Sequence, residues 1–374
     1  MKYFIIAGEK SGDLHGSNLI KGLIAADSDA VIECWGGELM EQAGGKLLKH
    51  YSGMAFMGYM AVIRNLGSIF RNMALCRKQI AAFSPDVVIL IDFPGFNFRI
   101  AEYASSLGIK VFYYISPKIW AWKEYRVKKI RKYVNRMFII FPFETEFFKK
   151  HGMEVEYYGN PLVDEIDKWR KSSPGNDEIR ASLGLDERPV ITLLAGSRRD
   201  EVRHILPPML QAAKGFKNYQ FVLAAVSNIP KDLYSTITAG FDIKIITGKT
   251  YELLAVSEAA LVKSGTSTLE AAIIGTPEVV CYSGDPVSFA IVKRLVNVKF
   301  ISLVNLIMDR EVVRELIQDE NNPERIAQEL SLILKGGAGR EKMLNDYSKL
   351  NEILGPAGAS DRIALEMVRT LKTN

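Results

Sequence analysis

Apolar and polar positions alternate along the chain in blocks that predict strands and helices in turn. Short apolar runs rich in β-branched residues are separated by longer segments whose apolar residues recur at helical spacing. The first half contains predicted strands at 3–7, 31–35, 85–92, 110–115 and 136–141, with helices at 14–26, 68–83, 98–107 and 122–133. Uninterrupted apolar strands between helices are typical of a parallel sheet covered on both faces.

A polar segment at 171–177 with the sequence KSSPGND predicts a linker, and the alternation resumes after it. Strands are predicted at 190–194, 220–225, 243–246, 259–262 and 278–282, with helices at 200–215, 250–256 and 267–274 and a helical stretch from 322 to the end. Pro207 and Pro208 should bend or restart the helix that contains them. We therefore expect two α/β domains of similar size, with ligands at the carboxyl ends of the strands, in a cleft between the sheets.

Composition narrows the class of protein. The 374 residues are enough for two or three domains, and the net charge of +5 is too small to indicate nucleic acid by itself. Three cysteines and four histidines lack the spacings of a disulfide framework or a zinc site, which fits a reducing cytoplasm. No apolar run reaches the roughly 18 residues that a membrane-spanning helix needs. The apolar run at 3–7 is too short for a signal peptide, so it is interpreted as a strand. We expect no cofactor and no metal.

A glycine-rich turn follows the first predicted strand and is a candidate ligand site. Gly8, Gly12 and Gly16 stand in the segment GEKSGDLHG, which matches neither the dinucleotide fingerprint nor the P-loop. A glycine turn between a strand and a helix directs backbone N–H groups towards a ligand. An ordinary turn in which Asp13 caps the helix explains the pattern about as well.

Asp92 is the candidate catalytic acid of the first half. It ends the buried strand VVILID and precedes the segment FPGFN. A carboxylate in such apolar surroundings can have a raised pKa and act as a general base. The alternative is an aspartate that caps the next helix.

Two further turns in the second half combine amide donors with charge. Gly196, Ser197 and Arg198 follow one strand, with Glu201 just beyond, and this combination suits a diphosphate. Another strand leads into a second turn, whose helix carries an acid that could hold ribose hydroxyls; these residues are Ser264, Gly265, Thr266 and Glu270. Either turn alone fits a plain capped turn, but two in one domain suggest a pocket for a nucleoside diphosphate.

Two segments of the first half could contact a membrane. Segment 118–136 holds eight basic residues and one acid, interleaved with aromatic residues, so it could meet nucleic acid or an anionic membrane. Segment 54–69 is too apolar for a solvated loop. The candidate membrane or acyl-chain contacts there are Met54, Phe56, Met57, Tyr59, Met60, Ile63 and Arg64. Ordinary core packing is the alternative for this apolar stripe.

These segments together resemble the bacterial lipid-A-disaccharide synthase family along the whole chain. The matching blocks include AGEKSGD at 7–13, PDVVILIDFPGFN at 85–97, YYISPKIWAWKEYRVKKI at 113–130, AGSRRDEV at 195–202 and SGTSTLEAAIIGTPEVVCY at 264–282. The block SPKIWAW is the most diagnostic. The chain departs from the family pattern at Ala195, where proline is common, and at Gly95, where aspartate is frequent. The change at Gly95 leaves Asp92 as the only acid of its loop.

The resemblance implies an inverting, metal-independent glycosyltransferase of the GT-B fold, with two Rossmann-like domains whose parallel sheets face a central cleft. The implied reaction joins UDP-linked diacylated glucosamine to diacylglucosamine 1-phosphate (lipid X). Its products are a β-1,6-linked disaccharide 1-phosphate and UDP. Asp92 is then the expected base, and the two turns of the second half, with Asn305, are the expected UDP site. The expected acceptor contacts are Gly8, Glu9, Ser11, Gly12 and Asp13.

The expected organisation is an acceptor- and membrane-facing domain at 1–170, a UDP-sugar domain at 177–345 and a C-terminal helix at 346–374 that returns to the first domain. The expected location is the cytoplasmic face of the inner membrane, with an anionic membrane surface as partner, no nucleic acid and a possible homodimer. A UDP-sugar 2-epimerase of the same fold and a nucleic-acid-binding protein are the alternatives. The sequence leaves open whether Asp92 or an acid within 9–13 is the base, and whether the apolar stripe meets membrane or acyl chains. It also does not show whether the last helix is swapped between chains.

Overall fold

The computed structural model describes residues 1–54, 66–122, 124–285, 289 and 298–373 and divides into two compact units. The first unit contains residues 1–164 and 355–374, and the second contains 165–354. The boundaries therefore fall at 164/165 and 354/355, some residues away from those expected. The first unit contains the strands β1 Lys2–Ala7, β2 Val31–Gly36, β3 Lys46–His50, β4 Val87–Ile91, β5 Lys110–Tyr114, β6 Arg136–Ile139 and β7 Glu156–Tyr157.

These strands form one parallel sheet in the order β3-β2-β1-β4-β5-β6-β7. The helices along this part of the chain are α1 Lys10–Ala26, α2 Glu38–Gln42, α3 Leu66–Phe83, α4 Pro94–Ser106, α5 Val127–Tyr133, α6 Phe143–Lys150 and α7 Pro161–Ser172. The unit boundary falls within α7. The order reverses at β1, because the chain first builds outwards to β2 and β3 and then returns to place β4 on the other side of β1.

Alternate residues of the buried strands point to opposite faces of the sheet and belong to two separate hydrophobic cores. Phe4, Ile6 and Tyr113 point to one face, where they join residues of α3, α4 and α5. Tyr3 and Ile5 point to the opposite face, together with residues of α1 and of the last helix. Period-two alternation of a strand covered on both sides explains why the central strands β1, β4 and β5 are almost entirely apolar.

The C-terminal helix α16, Ala359–Lys372, belongs to the first unit. Its residues Ile363, Met367 and Val368 are buried in the same core as α1. The carboxylate of Asp164 accepts hydrogen bonds from the backbone N–H groups of Gly358, Ala359 and Ser360 at 2.7, 3.0 and 2.9 Å. These amides at a helix N-terminus have no partner within the helix, so an acid that accepts from three of them fixes where α16 begins.

The second unit holds a six-stranded parallel sheet in the order β10-β9-β8-β11-β12-β13. Its strands are β8 Val190–Leu194, β9 Gln220–Ala225, β10 Ile243–Thr247, β11 Ser257–Lys263, β12 Glu278–Tyr282 and β13 Glu315–Ile317. Its helices beyond α7 are α8 Asn176–Ser182, α9 Arg199–Ala213, α10 Lys231–Thr238, α11 Thr250–Ala255, α12 Thr266–Ile274, α13 Leu303–Met308, α14 Pro323–Ile333 and α15 Arg340–Leu354.

Three sequence expectations about helices differ from the structure. Helix α9 runs through Pro207 and Pro208 without ending. The basic segment expected to be helical from 122 is helical only in α5, from Val127, after a short 3-10 turn at Glu124–Arg126. Helix α1 begins at Lys10, earlier than expected, with Glu9 at the capping position.

Glu278, the first residue of β12, is an acid enclosed by the core of the second unit. It is fully buried, and neither carboxyl oxygen has a hydrogen bond of ordinary geometry with a described residue. Burial raises its pKa well above the usual value for glutamate, and the charge of Glu315 adds to this, while the nearby hydroxyl of Tyr347 opposes it. The folded chain therefore holds the Glu278 proton to a higher pH than the unfolded chain does.

This burial predicts a pH dependence of stability that a single substitution removes. The unfolded chain loses the Glu278 proton near pH 4.3, whereas the folded chain keeps it, so folding takes up a proton and the free energy of unfolding falls as pH rises. The contribution reaches about 1.4 kcal/mol per pH unit. Glu278→Gln should flatten this slope between pH 5.5 and 8.5, measured by urea unfolding. The exposed Glu352→Gln is the control; equal slopes in the unchanged protein and Glu278→Gln would contradict the prediction.

Candidate active site

The reversal of strand order in the first unit brings two sequence-predicted features to one edge. Strand β1 pairs directly with β4, with Ala7 opposite Ile91. Gly8 and Asp92 therefore leave the sheet side by side. The point where strand order reverses is where α/β sheets bind their ligands.

The backbone at Asp92 is in a rarely populated conformation. Asp92 and Phe93 have φ angles of 42° and 49°, two successive left-handed residues that are not glycine. Such conformations cost on the order of 1–3 kcal/mol each and persist only where the surroundings impose them. Their occurrence at a candidate catalytic acid is a reason to assign function to this loop.

Two side chains hold the strained loop by its carbonyl. The carbonyl of Asp92 accepts from Asn97 Nδ2 at 2.7 Å and from the Tyr113 hydroxyl at 2.6 Å. Asn97 also donates to the carbonyl of Ile91 at 3.2 Å. The Asp92 carboxylate is left available, since its loop is fixed through the backbone. Sequence reasoning did not single out Asn97 or Tyr113, although both lie in segments that it quoted.

The electrostatic setting of Asp92 suits a base. Burial, with a smaller contribution from the charge of Glu9, raises its pKa to about 6, while the charge of Lys118 and a hydrogen bond from the Phe93 backbone N–H oppose the rise. At neutral pH the carboxylate is mostly ionised, yet it binds a proton more strongly than an exposed aspartate does.

Gly8 and Gly12 of the first turn allow close packing around it. A Cβ on Gly8 would lie 2.2 Å from the ring of Phe93, and a Cβ on Gly12 would lie 3.1 Å from the Cβ of Ala7. The absent side chains let α1 and the Phe93 loop approach β1. Glu9 is half-buried and Ser11 is exposed, so these two side chains remain available to an acceptor.

Asp13 has a structural role that differs from the expected acceptor contact. It is 2% exposed, and its carboxylate accepts from the backbone N–H groups of Gly37, Leu39 and Met40. It therefore caps α2 rather than its own helix. We assign Asp13 to the architecture of the turn because its carboxylate is occupied.

The two turns predicted in the second unit also lie side by side. Strands β8 and β11 pair with Leu194 opposite Val262. The ammonium of Lys263, at the end of β11, lies 3.0 Å from Glu201 on α9. Glu201 also accepts from the backbone N–H groups of Ser197 and Arg198 at 3.0 and 3.3 Å. One carboxylate thus ties both turns together.

Charge and donors are concentrated at this edge of the second sheet. Arg198 lies 3.2 Å from Glu201 and its side chain is 65% exposed, which leaves most of the guanidinium free to meet an anion. Asn228 donates to the carbonyl of Ser197 at 2.9 Å, which links the loop after β9 to the same turn. Sequence reasoning assigned no role to Lys263, although it directly precedes the Ser264–Thr266 turn, and it missed Asn228 because no motif surrounds that residue.

The second turn begins α12. Ser264 donates its hydroxyl to the carbonyl of Ile301 at 2.7 Å, Gly265 caps the helix and Thr266 is exposed at its first position. Burial raises the pKa of Glu270, while Ser267 and Tyr251 stabilise its charge. Glu270 is therefore an acid held within the unit by two hydroxyl groups, one turn into α12.

Asn305 is fully occupied and does not reach a ligand through its side chain. It is completely buried, donates to the Val313 carbonyl and to Glu315, and accepts from the N–H groups of Val312 and Val313. We therefore correct the expected UDP contact: Asn305 holds the segment before β13 in place.

The apolar stripe is described only at its first residue. Met54 is 4% exposed and lies in the core of the first unit with Trp35 and Met73, so it is withdrawn from the membrane contacts. The remaining residues lie outside the described part of the chain; they are Phe56, Met57, Tyr59, Met60, Ile63 and Arg64. Among the described residues, no group of three or more His, Cys, Asp or Glu side chains could hold a metal ion.

Two parallel sheets, each with turns gathered at the reversal of strand order, define an α/β enzyme with a GT-B-like fold. Solved structures with the same fold include the UDP-GlcNAc 2-epimerase of Neisseria meningitidis bound to UDP-GlcNAc, with a TM-score of 0.71, 16% identity and full coverage of both chains. The UDP-GlcNAc 2-epimerase of Methanocaldococcus jannaschii, in complex with UDP-GlcNAc and UDP, gives 0.67 and 17%, again over both full chains. At these identities the likeness shows the fold alone.

Sequence comparison gives the family. The family model of lipid-A-disaccharide synthetase matches residues 3–362. The lipid-A-disaccharide synthase of Geobacter metallireducens is 38% identical over 98% of this chain and 97% of the relative, and that of Myxococcus xanthus is 34% identical over 99% and 97%. The chain belongs to the lipid-A-disaccharide synthase family of glycosyltransferases, and its activity is lipid-A-disaccharide synthesis.

The contact between Gly8 and Phe93 predicts different effects of two similar substitutions. Gly8→Ala should displace the Phe93 ring and destabilise the fold by about 1–3 kcal/mol, as for overpacking of a core. Gly95→Ala, two residues beyond Phe93, should be tolerated because no atom lies within 4 Å of its Cβ position. Urea unfolding of both variants tests this difference, and equal stability of the two would contradict it.

Proposed function

We propose that the chain transfers a diacylated glucosamine from UDP to the 6-hydroxyl of diacylglucosamine 1-phosphate, with inversion, and that Asp92 is the general base. The observation that carries the proposal is the position of Asp92, which stands at the reversal of strand order in a strained loop whose backbone carbonyl, rather than its carboxylate, binds the Asn97 and Tyr113 side chains. The acceptor would meet this edge of the first sheet through Gly8, Glu9, Ser11 and Gly12.

An inverting transfer needs one base, which takes the proton of the attacking hydroxyl as the bond to the anomeric carbon forms. The bond from that carbon to the UDP oxygen breaks, and UDP leaves as an anion. Asp92, with a pKa of about 6, is ionised at neutral pH and can accept the proton. The negative charge of Glu9 raises the pKa of Asp92, so Glu9 increases the proton affinity of the proposed base.

The second unit supplies the groups that an anionic leaving group requires. Arg198 and Lys263 provide positive charge beside the Gly196–Arg198 turn, and Ser264, Gly265 and Thr266 begin α12, whose N-terminus favours phosphate. Glu201 would act by fixing both turns. A cavity of about 440 Å³ at the ends of β9 and β10, lined partly by Val226, Ile229 and Tyr234, is a candidate pocket for the uracil.

The role of Asp92 gives a prediction for turnover and for its pH dependence. Asp92→Asn should lower turnover about 10²–10⁴-fold, because the base is lost. The turnover of the unchanged protein should fall below pH 6, where Asp92 becomes protonated. The assay is formation of disaccharide and UDP from UDP-diacylglucosamine and lipid X across a pH series.

Controls separate the chemical step from folding and donor binding. Asp86→Asn alters an aspartate at the opposite end of β4, where it accepts from the N–H of Lys2, and should leave turnover close to that of the unchanged protein. Asp92→Asn should still bind UDP. Near-normal turnover of Asp92→Asn would rule out this base, and epimerised sugar as the only product would favour the 2-epimerase alternative.

We also propose that the first unit binds an anionic membrane at its surface, since both substrates would carry acyl chains. No helix in the described ranges is long and apolar enough to cross a bilayer. Phe70 on α3 and Tyr125 before α5 are 60% and 67% exposed. Around them lie the basic side chains of Arg71 and of α5. Exposed aromatic residues beside basic ones are typical of interfacial binding.

The membrane proposal predicts selective loss of vesicle binding. Phe70→Ser/Tyr125→Ser should reduce co-flotation with vesicles that contain phosphatidylglycerol, and high salt should weaken binding of the unchanged protein because exposed charges are screened. The control is Leu365→Ser, which removes an apolar side chain that is 61% exposed on α16. Helix α16 covers the opposite face of the sheet from α3. Undiminished flotation of the folded double variant would contradict this surface.

A further inference from the structure

Glu144, on α6, is a buried acid that the reaction scheme above leaves unused. It is completely buried in the first unit, and its Oε2 atom accepts from the backbone N–H groups of Ile140 and Phe141 at 3.3 and 3.0 Å. These two residues directly follow β6, so the carboxyl group fixes the chain where it leaves the sheet. Its other oxygen, Oε1, has no hydrogen bond of ordinary geometry with a described residue.

The free side of Glu144 faces the loop that follows β5. Burial raises the pKa of Glu144 to about 8, so the group is mostly protonated at neutral pH; the Ser116 hydroxyl and the Trp120 indole N–H are close enough to oppose this rise, although neither reaches ordinary hydrogen-bond geometry with the carboxyl group. The Ser116 hydroxyl donates instead to the Pro117 carbonyl at 3.0 Å. The indole N–H of Trp120 is itself buried without another partner among the described residues. Its ring packs edge-on against Phe143, with centroids 4.9 Å apart, at the start of the helix that carries Glu144.

The loop between Ser116 and Trp120 needs such an anchor, because its backbone is strained. Ile115 has a φ angle of 66°, a left-handed conformation that a β-branched residue rarely adopts. Lys118 lies at the middle of the loop, is exposed, and forms no ion pair with any residue that the structure describes. Its charge nevertheless acts on Asp92, at the end of the neighbouring strand β4.

We propose that Glu144 is a positioning residue, which anchors the loop after β5 through Trp120 and Ser116 and so holds the Lys118 ammonium beside the Asp92 carboxylate. The role of Asp92 as base rests on the proposed function, but the anchoring does not. Three groups face Asp92: Glu9 from the turn after β1, the phenol of Tyr113 from β5, and Lys118. Lys118 is the cation among them, so its placement sets how readily Asp92 loses its proton.

A titration of Asp92 tests the placement independently of catalysis. In protein labelled with ¹³C at the aspartate carboxyl carbons, the Asp92 signal is assigned by its absence from Asp92→Asn. Lys118→Met should raise the pKa of Asp92 by about half to one unit, as expected for a charge several ångströms away in a partly solvated site. Glu144→Gln should raise it in the same direction, because its amide N–H₂ would meet the Trp120 N–H and release the loop.

The double variant gives the sharper test. If Glu144 acts through Lys118, then Glu144→Gln adds no further shift in a Lys118→Met background. The controls are Glu146→Gln, an exposed acid on the same helix, and Lys149→Met, an exposed lysine of that helix; neither should move the Asp92 signal. Trp120→Phe removes only the indole N–H and should reproduce the effect of Glu144→Gln, which keeps the test available if that variant folds poorly.

Several outcomes would overturn the proposal. An Asp92 titration unchanged in Glu144→Gln and Trp120→Phe would show that the anchor does not control Lys118, and fully additive shifts in the double variant would show that Glu144 acts by another route. The turnover of Asp92→Asn distinguishes a failure of this proposal from a failure of the proposed function. If the Asp92 titration shifts as expected but Asp92→Asn keeps normal turnover, the positioning stands and the assignment of the base is wrong. The acidic limb of the pH–rate profile should move with the titration if both hold.

Discussion

The direction of the strands is the constraint on which the rest of the structure depends. Every strand pair that the structure describes is parallel, and both faces of the first sheet are covered, so the central strands of that sheet carry mainly apolar side chains. Reactive polar groups are therefore expected at the edges. Because all strands run in one direction, the carboxyl ends in each unit meet at one edge, and the reversal of order opens a space there.

At that edge the first unit holds its reactive acid under strain. Left-handed backbone at both Asp92 and Phe93 is unfavourable, and the bonds from Asn97 and Tyr113 to the Asp92 carbonyl offset it. Gly8 contributes to the same arrangement, because its lack of a side chain leaves room for the Phe93 ring. The Asp92 carboxylate accepts a hydrogen bond from the Phe93 N–H, whereas that of Asp13 is occupied by three backbone N–H groups.

The alternation of apolar runs was sufficient to predict two parallel α/β units and the positions of the glycine turns, because buried strands and their turns leave a local signal. The pairing of β1 with β4 and of β8 with β11 is not local, and it makes Glu9 a neighbour of Asp92 and Lys263 a neighbour of Glu201. Asn305 shows the opposite failure: its place in a family-like block predicted a ligand contact, but four hydrogen bonds within the unit occupy it.

Four acids show why residue type alone could not separate reactive from structural groups. Asp13 and Glu201 both accept from backbone amides: Asp13 fixes the start of α2, and Glu201 fixes a turn that sequence reasoning had assigned to a ligand. Glu144 uses one oxygen in the same way and leaves the other facing a loop. Asp92 alone among the four has its loop held by side chains through the backbone carbonyl, and its carboxylate accepts from the backbone N–H of the next residue, Phe93. What distinguishes the reactive acid is which of its atoms the fold already uses, and only the three-dimensional arrangement of its neighbours decides that.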